Sequence, residues 1–118
     1  MANNRLKANN ACGCMATILI VEDQVFNLCL MCSDLEAMNI HFDIAGNGRC
    51  GLDLYKNNMT KQCCGIRYRL VITDLNMPVM SGLDCSKEIN KFQRHLNTLE
   101  SPGLGLKAHA IHTPVVCF

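Results

Sequence analysis

The chain has 118 residues, 49% of them hydrophobic and 18% charged, and its formal net charge is +1. This length fits one domain, and this apolar content can support a folded core. A near-neutral charge balance excludes the strong attraction that nucleic acid or anionic membranes exert on basic proteins, so neither is an expected partner. The longest nearly apolar run, residues 16–21, is far shorter than the roughly 20 residues that span a bilayer, and no signal-peptide core is present. We therefore expect a cytoplasmic protein.

The first third of the chain predicts an arm, a strand and a helix. Residues 1–15 are rich in asparagine and lack periodicity, which is typical of a flexible N-terminal arm. The aliphatic run "TILIV", residues 17–21, predicts a strand buried in a parallel sheet. An apolar stripe over residues 25–35 predicts an amphipathic helix, which is expected to pack its two cysteines, Cys29 and Cys32, into the core.

The middle of the chain repeats this alternation. "IHFDIA", residues 40–45, has polar residues alternating with apolar ones, as in an edge strand. A helical pattern runs from Arg49 to about residue 57 and is followed by a polar surface loop. "YRLVIT", residues 68–73, then predicts a third strand that ends at Asp74.

The last third predicts one more helix and one more strand. A loop punctuated by Pro78 and Gly82 leads to a helix over residues 83–96, and residues 98–112 are predicted to form a long loop. "TPVVCF", residues 113–118, begins a fourth strand. Strands that alternate with helices predict a parallel α/β sheet with right-handed crossovers. With no helix after the final strand, part of one sheet face is expected to stay uncovered.

The nine cysteines predict neither a disulfide scaffold nor a metal site. Their number is odd, and no export signal accompanies them. Two further pairs, Cys12 with Cys14 and Cys63 with Cys64, lack the two-residue gap typical of a zinc knuckle. We therefore expect reduced thiols of a cytosolic protein.

Three carboxylates follow predicted strands. Glu22 and Asp23 come directly after the first strand, and Asp74 comes after the third. In an open parallel sheet, ligands bind beyond the carboxyl ends of the strands, so the three side chains converge if these strands are neighbours. Clustered carboxylates repel one another unless a cation neutralises them, and Mg²⁺ prefers such oxygen ligands. Beside bound Mg²⁺, Asp74 is the best candidate for a nucleophile that attacks phosphorus.

A structural interpretation of the same residues also exists. Glu22 and Asp23 would cap the first helix, and Asp74 would begin a turn, both of which are common uses of acidic residues.

Three segments, "ILIVEDQVFN", "DIAGNG" and "LVITDLNMPVMSG", resemble in this order the receiver domain of two-component response regulators, especially receivers attached to eukaryotic and hybrid histidine kinases. The resemblance covers about residues 17–118, and "DLNMPVMSG" is its most specific segment. It implies a flavodoxin-like (βα)5 receiver fold with parallel sheet order 2-1-3-4-5, in which strands one and three are neighbours.

The resemblance also implies roles for individual residues. Asp74 would be the phosphoacceptor, taking its phosphoryl group from a histidine kinase or a histidine phosphotransfer protein. Mg²⁺ would be bound by Asp23 directly, by Glu22 largely through water, by Asp74, and by the main-chain carbonyl of Asn76. The protein would accept a phosphoryl group and assist its own phosphorylation without being a turnover enzyme, and a parent hybrid kinase is one context for it.

The C-terminal part departs from the family pattern. "TPVVCF" resembles the start of the family's fourth strand, and the chain ends at Phe118, one position before the family's phosphate-binding serine or threonine. We expect a receiver domain over residues 16–118 that is truncated within its fourth strand and lacks the fifth-strand lysine. Thr113 and Lys107 precede the strand and are not expected to replace these groups. Ser81 stands where the family often has an acidic residue.

Two other functions stay open at this stage. A degenerate receiver would act only as a protein-interaction module, without phosphorylation. Gly46, Gly48 and Gly51 spell G-x-G-x-x-G, which is weak support for a dinucleotide-binding fragment that would leave Glu22 and Asp23 unexplained. An aspartyl-phosphate hydrolase is disfavoured because it would need a second aspartate two residues after Asp74, where this chain has Asn76.

Overall fold

The computed structural model describes residues 12–99 and 112–118. Most of the predicted N-terminal arm and of the long loop before the last strand lies outside these residues. The elements, in chain order, are β1 (Ile18–Val21), α1 (Val25–Ala37), β2 (Phe42–Ala45), α2 (Gly48–Thr60), β3 (Leu70–Thr73), α3 (Gly82–Leu99) and β4 (Val115–Cys117). None of the helices in the described parts of the chain is long and apolar enough to cross a membrane.

The four strands form one parallel sheet in the order β2-β1-β3-β4. This order confirms the predicted parallel α/β architecture, including the edge position of β2. Strands β1 and β3 are neighbours in register, with Ile18 opposite Leu70 and Val21 opposite Thr73. The residues that follow these two strands therefore lie side by side at one edge of the sheet.

One face of the sheet holds the hydrophobic core. Side chains from β1 and β3 on this face pack against the helices α2 and α3, which explains the apolar faces of both helices. The buried residues of this core are Leu19, Val21, Ala45, Leu52, Tyr55, Tyr68, Val71, Cys85 and Ile89. At the start of α2, the side chain of Asn47 accepts a hydrogen bond from the backbone N–H of Cys50 at 2.9 Å and so caps the helix.

The opposite face is covered much less completely. Helix α1 buries only Leu35, while Val25 and Phe26 are each 73% exposed. The predicted burial of Cys29 and Cys32 is wrong, because Cys29 is exposed and Cys32 is only partly covered. The apolar residues are spread around the helix and do not form a single stripe, and no second helix in the described residues packs beside α1 to cover them.

The same face of the sheet exposes apolar side chains toward its edges. Ile44 on β2 and Val116 on β4 share this face with Ile20 and Ile72, because residues paired across parallel strands point to the same side. Ile20 is fully buried, whereas Ile44 and Val116 are 44% and 50% exposed. The expected uncovered part of one sheet face is therefore present in the described structure.

Polar contacts anchor the segment that precedes β4. The side-chain amide of Gln93 makes two hydrogen bonds of 3.0 Å with the backbone N–H and carbonyl of Thr113. The Tyr55 hydroxyl donates to Thr113 Oγ1 at 3.0 Å, within the core. Thr113 lies before the amino-terminal end of β4, whereas the carboxylates lie beyond the carboxyl ends of β1 and β3. As predicted, Thr113 is therefore too distant to contact a phosphoryl group on Asp74.

Burial makes the Cys85 thiol unreactive in the native protein. Cys85 is fully buried in the core, and burial raises the pKa of its thiol to about 11, so little thiolate exists at mildly alkaline pH. In the native protein we expect iodoacetamide to modify exposed Cys50 readily and Cys85 only after denaturant is added, as read by peptide mass mapping. Modification of both cysteines at equal rates in the native state would contradict this packing.

Candidate phosphoacceptor and cation site

The backbone fixes the positions of two of the three carboxylates. Glu22 continues β1, and its N–H donates to the carbonyl of Ala45 on β2 at 3.0 Å. Asp74 continues β3, and its N–H donates to the carbonyl of Val21 on β1 at 3.0 Å. Both residues are therefore held by the hydrogen bonding of the sheet itself, at the carboxyl ends of two neighbouring strands.

The predicted convergence of the carboxylates is present. Oxygen atoms of Glu22, Asp23 and Asp74 all lie within 4.8 Å of one another. Glu22 is fully buried, Asp74 is half-buried and Asp23 is exposed. In the described parts of the chain, the ion pair found is between Arg49 and Asp53 on the surface of α2, so no lysine or arginine neutralises the three carboxylates. Such a cluster favours a bound cation.

Glu22 provides a direct test of whether a cation fits. Its Oε1 accepts a hydrogen bond from the N–H of Gln24 at 3.0 Å. Its Oε2 is buried and has no hydrogen-bond partner within residues 12–99 and 112–118. A buried carboxylate oxygen without a partner is costly, and a hard cation with its bound water would supply the missing interaction. The residues present therefore fit Mg²⁺.

The structural interpretation of these acidic residues is not supported at the first helix. The N-cap of α1 is Gln24, and no side chain caps it. Glu22 and Asp23 therefore do not cap the helix. After β3, the N–H of Asn76 lies 3.4 Å from Asp74 Oδ1, which is a long and therefore weak hydrogen bond for the predicted turn at Asp74. Asn76 itself is exposed.

Gly82 has a structural role that the sequence did not reveal. A Cβ atom placed on Gly82 would lie 1.9 Å from the carbonyl oxygen of Asp74 and 3.0 Å from the Cα of Leu75. The Gly82 N–H also donates to the carbonyl of Leu75 at 2.9 Å. The first turn of α3 thus packs directly against the backbone of the residue that carries the central carboxylate. Ser81 caps the helix by accepting from the N–H of Asp84 at 3.1 Å.

The G-x-G-x-x-G segment is used for packing. A Cβ on Gly48 would lie 2.5 Å from the carbonyl oxygen of Met80, and one on Gly51 would lie 2.7 Å from a methyl group of Val21. The absence of a side chain at Gly48 therefore lets the loop after β3 pack closely at Met80, and its absence at Gly51 lets Val21 of β1 pack against α2. These close approaches account for the two glycines without a bound dinucleotide.

The end of β4 is joined to the same edge of the sheet. The N–H of Phe118 donates to the carbonyl of Thr73 at 3.0 Å, and the carbonyl of Phe118 accepts from the N–H of Leu75 at 3.0 Å. The backbone on both sides of Asp74 is therefore paired with β4 as well as with β1.

A parallel sheet of order 2-1-3-4, with clustered carboxylates beyond its first and third strands, defines a doubly wound α/β protein with its ligand site at the strand ends. Residues 18–100 match the response regulator receiver domain. The chain belongs to this family and is a receiver domain of the kind used in two-component phosphorelays. This assignment overturns the dinucleotide-binding alternative.

The similar proteins are signalling proteins that are much longer than the matched segment. The oxidative stress response two-component system protein SSK1 of Candida albicans is 33% identical over 88 residues, which are 75% of this chain and 11% of that protein. The hybrid signal transduction histidine kinase K of Dictyostelium discoideum is 32% identical over 78 residues, which are 66% of this chain and 6% of that protein. The family likeness thus concerns one domain of each relative.

Solved structures agree with the fold. The receiver domain of Saccharomyces cerevisiae Ssk1, crystallised with the histidine phosphotransfer protein Ypd1, matches with a TM-score of 0.65 and 28% identity, over 86% of this chain and 61% of that chain. The receiver domain of the Arabidopsis thaliana histidine kinase CKI1, complexed with Mg²⁺ and BeF3⁻, matches with a TM-score of 0.69 and 16% identity, over 94% of this chain and 70% of that chain. The second likeness concerns the fold alone.

Proposed function

We propose that this receiver domain accepts a phosphoryl group on Asp74 from a phosphohistidine of a partner protein. The observation that carries the proposal is the convergence of Glu22, Asp23 and Asp74 around a buried, unpartnered oxygen of Glu22. Three carboxylates held this close, with no neutralising side chain among the described residues, are unfavourable by themselves. Their arrangement is suited to a site that binds a divalent cation and handles phosphate.

The proposed transfer is a simple displacement at phosphorus. A carboxylate oxygen of Asp74 forms a bond to phosphorus while the bond from phosphorus to the histidine nitrogen breaks, and the electron pair stays with the imidazole, which takes a proton from solvent. Asp74 becomes an acyl phosphate, and the partner histidine is regenerated. The product is a modified protein, so the chain acts as an acceptor without being a turnover enzyme.

Mg²⁺ is the cofactor that these residues would hold. Glu22, Asp23 and Asp74 would supply carboxylate oxygens, and Asn76 would supply its main-chain carbonyl. When bound, Mg²⁺ would offset the negative charge of the carboxylates and of the incoming phosphoryl group. The half-buried position of Asp74 leaves its carboxylate accessible to a partner. The backbone hydrogen bonds on either side of Asp74 keep it oriented during the approach of the donor.

The partner that donates the phosphoryl group to Asp74 would be a histidine kinase or a histidine phosphotransfer protein in the cytoplasm. Support comes from the relatives, since the receiver domain of yeast Ssk1 was crystallised with Ypd1 and other relatives are hybrid histidine kinases. The direct test is to incubate the chain with a histidine-phosphorylated donor and Mg²⁺ and to record its intact mass. We expect a gain of one HPO3 group. No gain would favour the interaction-module function.

Mg²⁺ binding has a separate test in the variant Asp23→Asn, which removes one exposed carboxylate of the cluster. In EDTA we expect the variant to melt above wild type, because a repulsion worth up to about 1 kcal/mol is relieved. With Mg²⁺ at 100 times its Kd, wild type should gain about 2.7 kcal/mol of stability, and the variant should gain much less. Thermal denaturation with and without Mg²⁺ measures both effects.

The matched control for this test is Asp34→Asn. Asp34 is an exposed carboxylate on α1, outside the cluster. This variant should respond to Mg²⁺ as wild type does. An equal response of Asp23→Asn and wild type would show that the cation binds elsewhere.

A further inference from the structure

The opposite end of the same two strands holds a second cluster, composed of thiols. Cys12 and Cys14 precede β1, and Cys63 and Cys64 precede β3. Because β1 and β3 are paired in parallel, the segments that enter them run side by side. The Arg69 N–H donates to the carbonyl of Thr17 at 2.7 Å, which ties these two entering segments together.

The four sulfur atoms are close enough to share one ion. All four lie within 4.8 Å of one another, and the sulfur atoms of Cys14 and Cys63 are 3.7 Å apart. A tetrahedral zinc ion with bonds of about 2.3 Å to each sulfur separates its ligand sulfurs by about 3.8 Å. A disulfide requires a separation of about 2.0 Å and joins only two of the four. All four cysteines have free thiols in the structure.

The loop that presents Cys63 and Cys64 is held by a partly buried set of contacts from one side chain. The Arg67 guanidinium donates to the carbonyl of Lys61 at 2.7 Å, to that of Cys64 at 2.7 Å and to that of Ile66 at 3.2 Å. Three carbonyls bound by one side chain fix the turn that carries both thiols. The conformational entropy of ordering this loop is therefore lost on folding and does not oppose metal binding.

The charge near the thiols also suits a metal. Four thiolates around one divalent ion leave two negative charges, which need compensation or exposure to solvent. Lys61 lines a cavity of about 390 Å³ together with Cys12, Cys14 and Cys63, and Asp43 lines the same cavity with its carboxylate bound by the Tyr68 hydroxyl. The positive side chain of Arg67 lies against the backbone of Cys64. The open cavity also lets solvent reach the thiols.

We propose that Cys12, Cys14, Cys63 and Cys64 form a structural zinc site that staples the N-terminal segment to the loop before β3. Thiolate sulfurs in a tetrahedral set of four select zinc among the common structural divalent ions. Each thiol gives up its proton to solvent on binding, and no electron is transferred. A set of four protein ligands leaves no open position for a substrate, so the site is structural. It is separate from the carboxylate site at the other end of the strands.

The first experiment measures metal in the full 118-residue chain, expressed with zinc in the medium and purified under reducing conditions without chelator. Elemental analysis should find a single zinc ion per chain. The double variant Cys14→Ser/Cys63→Ser should lose its zinc on dialysis against EDTA under conditions in which wild type keeps it. The matched control Cys29→Ser/Cys50→Ser removes two exposed thiols outside the cluster and should retain zinc.

The second experiment does not depend on the folding of a variant. Metal-free, reduced wild type is titrated with Co²⁺, and the absorption spectrum is recorded. Tetrahedral tetrathiolate coordination should give intense visible bands that saturate at equal concentrations of metal and chain and disappear when zinc is added. The proposal would be overturned if the chain contained no zinc after purification and its metal-free form gave no such spectrum with Co²⁺. A disulfide within the cluster would also overturn the proposal, if reduction of that disulfide did not restore metal binding. Such a disulfide would lower the mass of the chain by two hydrogens and would be located by peptide mapping.

Discussion

Asp74→Asn is expected to abolish phosphoryl transfer to this chain completely. The amide of asparagine has almost the shape of the carboxylate, but its oxygen is too weak a nucleophile to form the bond to phosphorus. The backbone contacts of Asp74 with Val21 and Thr73 do not involve the carboxylate, so the fold should persist. Intact-mass measurement after incubation with a histidine-phosphorylated donor and Mg²⁺ should show the HPO3 adduct on wild type and none on the variant.

Two controls make this result specific to the site. Asp34→Asn changes an exposed aspartate of α1 outside the carboxylate cluster and should become phosphorylated at the rate of wild type. Omission of Mg²⁺ should slow transfer to wild type strongly, because the carboxylates then repel the incoming phosphoryl group. An HPO3 adduct on Asp74→Asn, mapped to another residue, would refute Asp74 as the acceptor.

Gly82→Ala is expected to cause the largest loss of stability among single methyl additions to this chain's described glycines. The added Cβ would lie 1.9 Å from the carbonyl oxygen of Asp74 and 2.7 Å from its carbonyl carbon. Both are backbone atoms of a strand end that is paired with its neighbours, so they cannot move aside without disturbing the sheet. We expect a loss of about 3 kcal/mol, at the upper end of the usual cost of overpacking. Urea denaturation followed by circular dichroism measures it.

Gly46→Ala is the matched control for this effect. Apart from its two chain neighbours, no described residue has an atom within 4 Å of a Cβ built on Gly46, and its φ is not in the left-handed region. The free energy of unfolding should therefore change by no more than about 0.5 kcal/mol. Similar losses for the two variants would mean that intrinsic backbone preferences, and not the contact with Asp74, determine the effect. Because the contact lies at Asp74, Gly82→Ala should also slow phosphorylation of the fraction that stays folded.

Local chemistry predicts the strands, whereas the carboxylate cluster is predicted only on the condition that strands one and three are neighbours, an order that the family resemblance implies. The short aliphatic runs before Glu22 and Asp74 are typical of buried strands, and the observed parallel pairing brings their carboxyl ends together. The sequence does not predict that Glu22 is buried with one oxygen lacking a partner among the described residues. This burial depends on how the chain turns toward Gln24, which no residue pattern specifies.

Helix α1 shows where periodicity stops being informative. The predicted helix is present over Val25–Ala37, but its apolar residues lie on several sides and do not form one clear apolar face. The predicted amphipathic character is therefore not confirmed, and burial of the apolar residues requires further packing surfaces. Only Leu35 is buried in the described structure, Leu28, Met31 and Cys32 are partly buried, and Cys29 stays exposed.

The contacts of Gly82 and of the cysteines escaped prediction for a related reason. Gly82 looks like an ordinary loop glycine, and its contact with the Asp74 backbone is visible only when α3 is placed against β3. The zinc-knuckle criterion applies to ligands spaced within one short segment. Here Cys14 and Cys63 are brought together by the pairing of two strands, across 49 positions of sequence. Spacing rules cannot detect a cluster that the sheet topology creates.

The unequal covering of the two sheet faces has a consequence for motion. Elements that bury little apolar surface can open locally at a free energy well below that of global unfolding. Helix α1 contributes one buried side chain, whereas α2 and α3 together enclose Tyr55, Cys85 and Ile89. Backbone amides of α1 should therefore exchange with solvent through local opening, while those of α2 and α3 exchange only when the whole sheet comes apart. In this receiver domain, local opening is thus expected to cost less free energy for α1 than for the helices α2 and α3, which enclose the core.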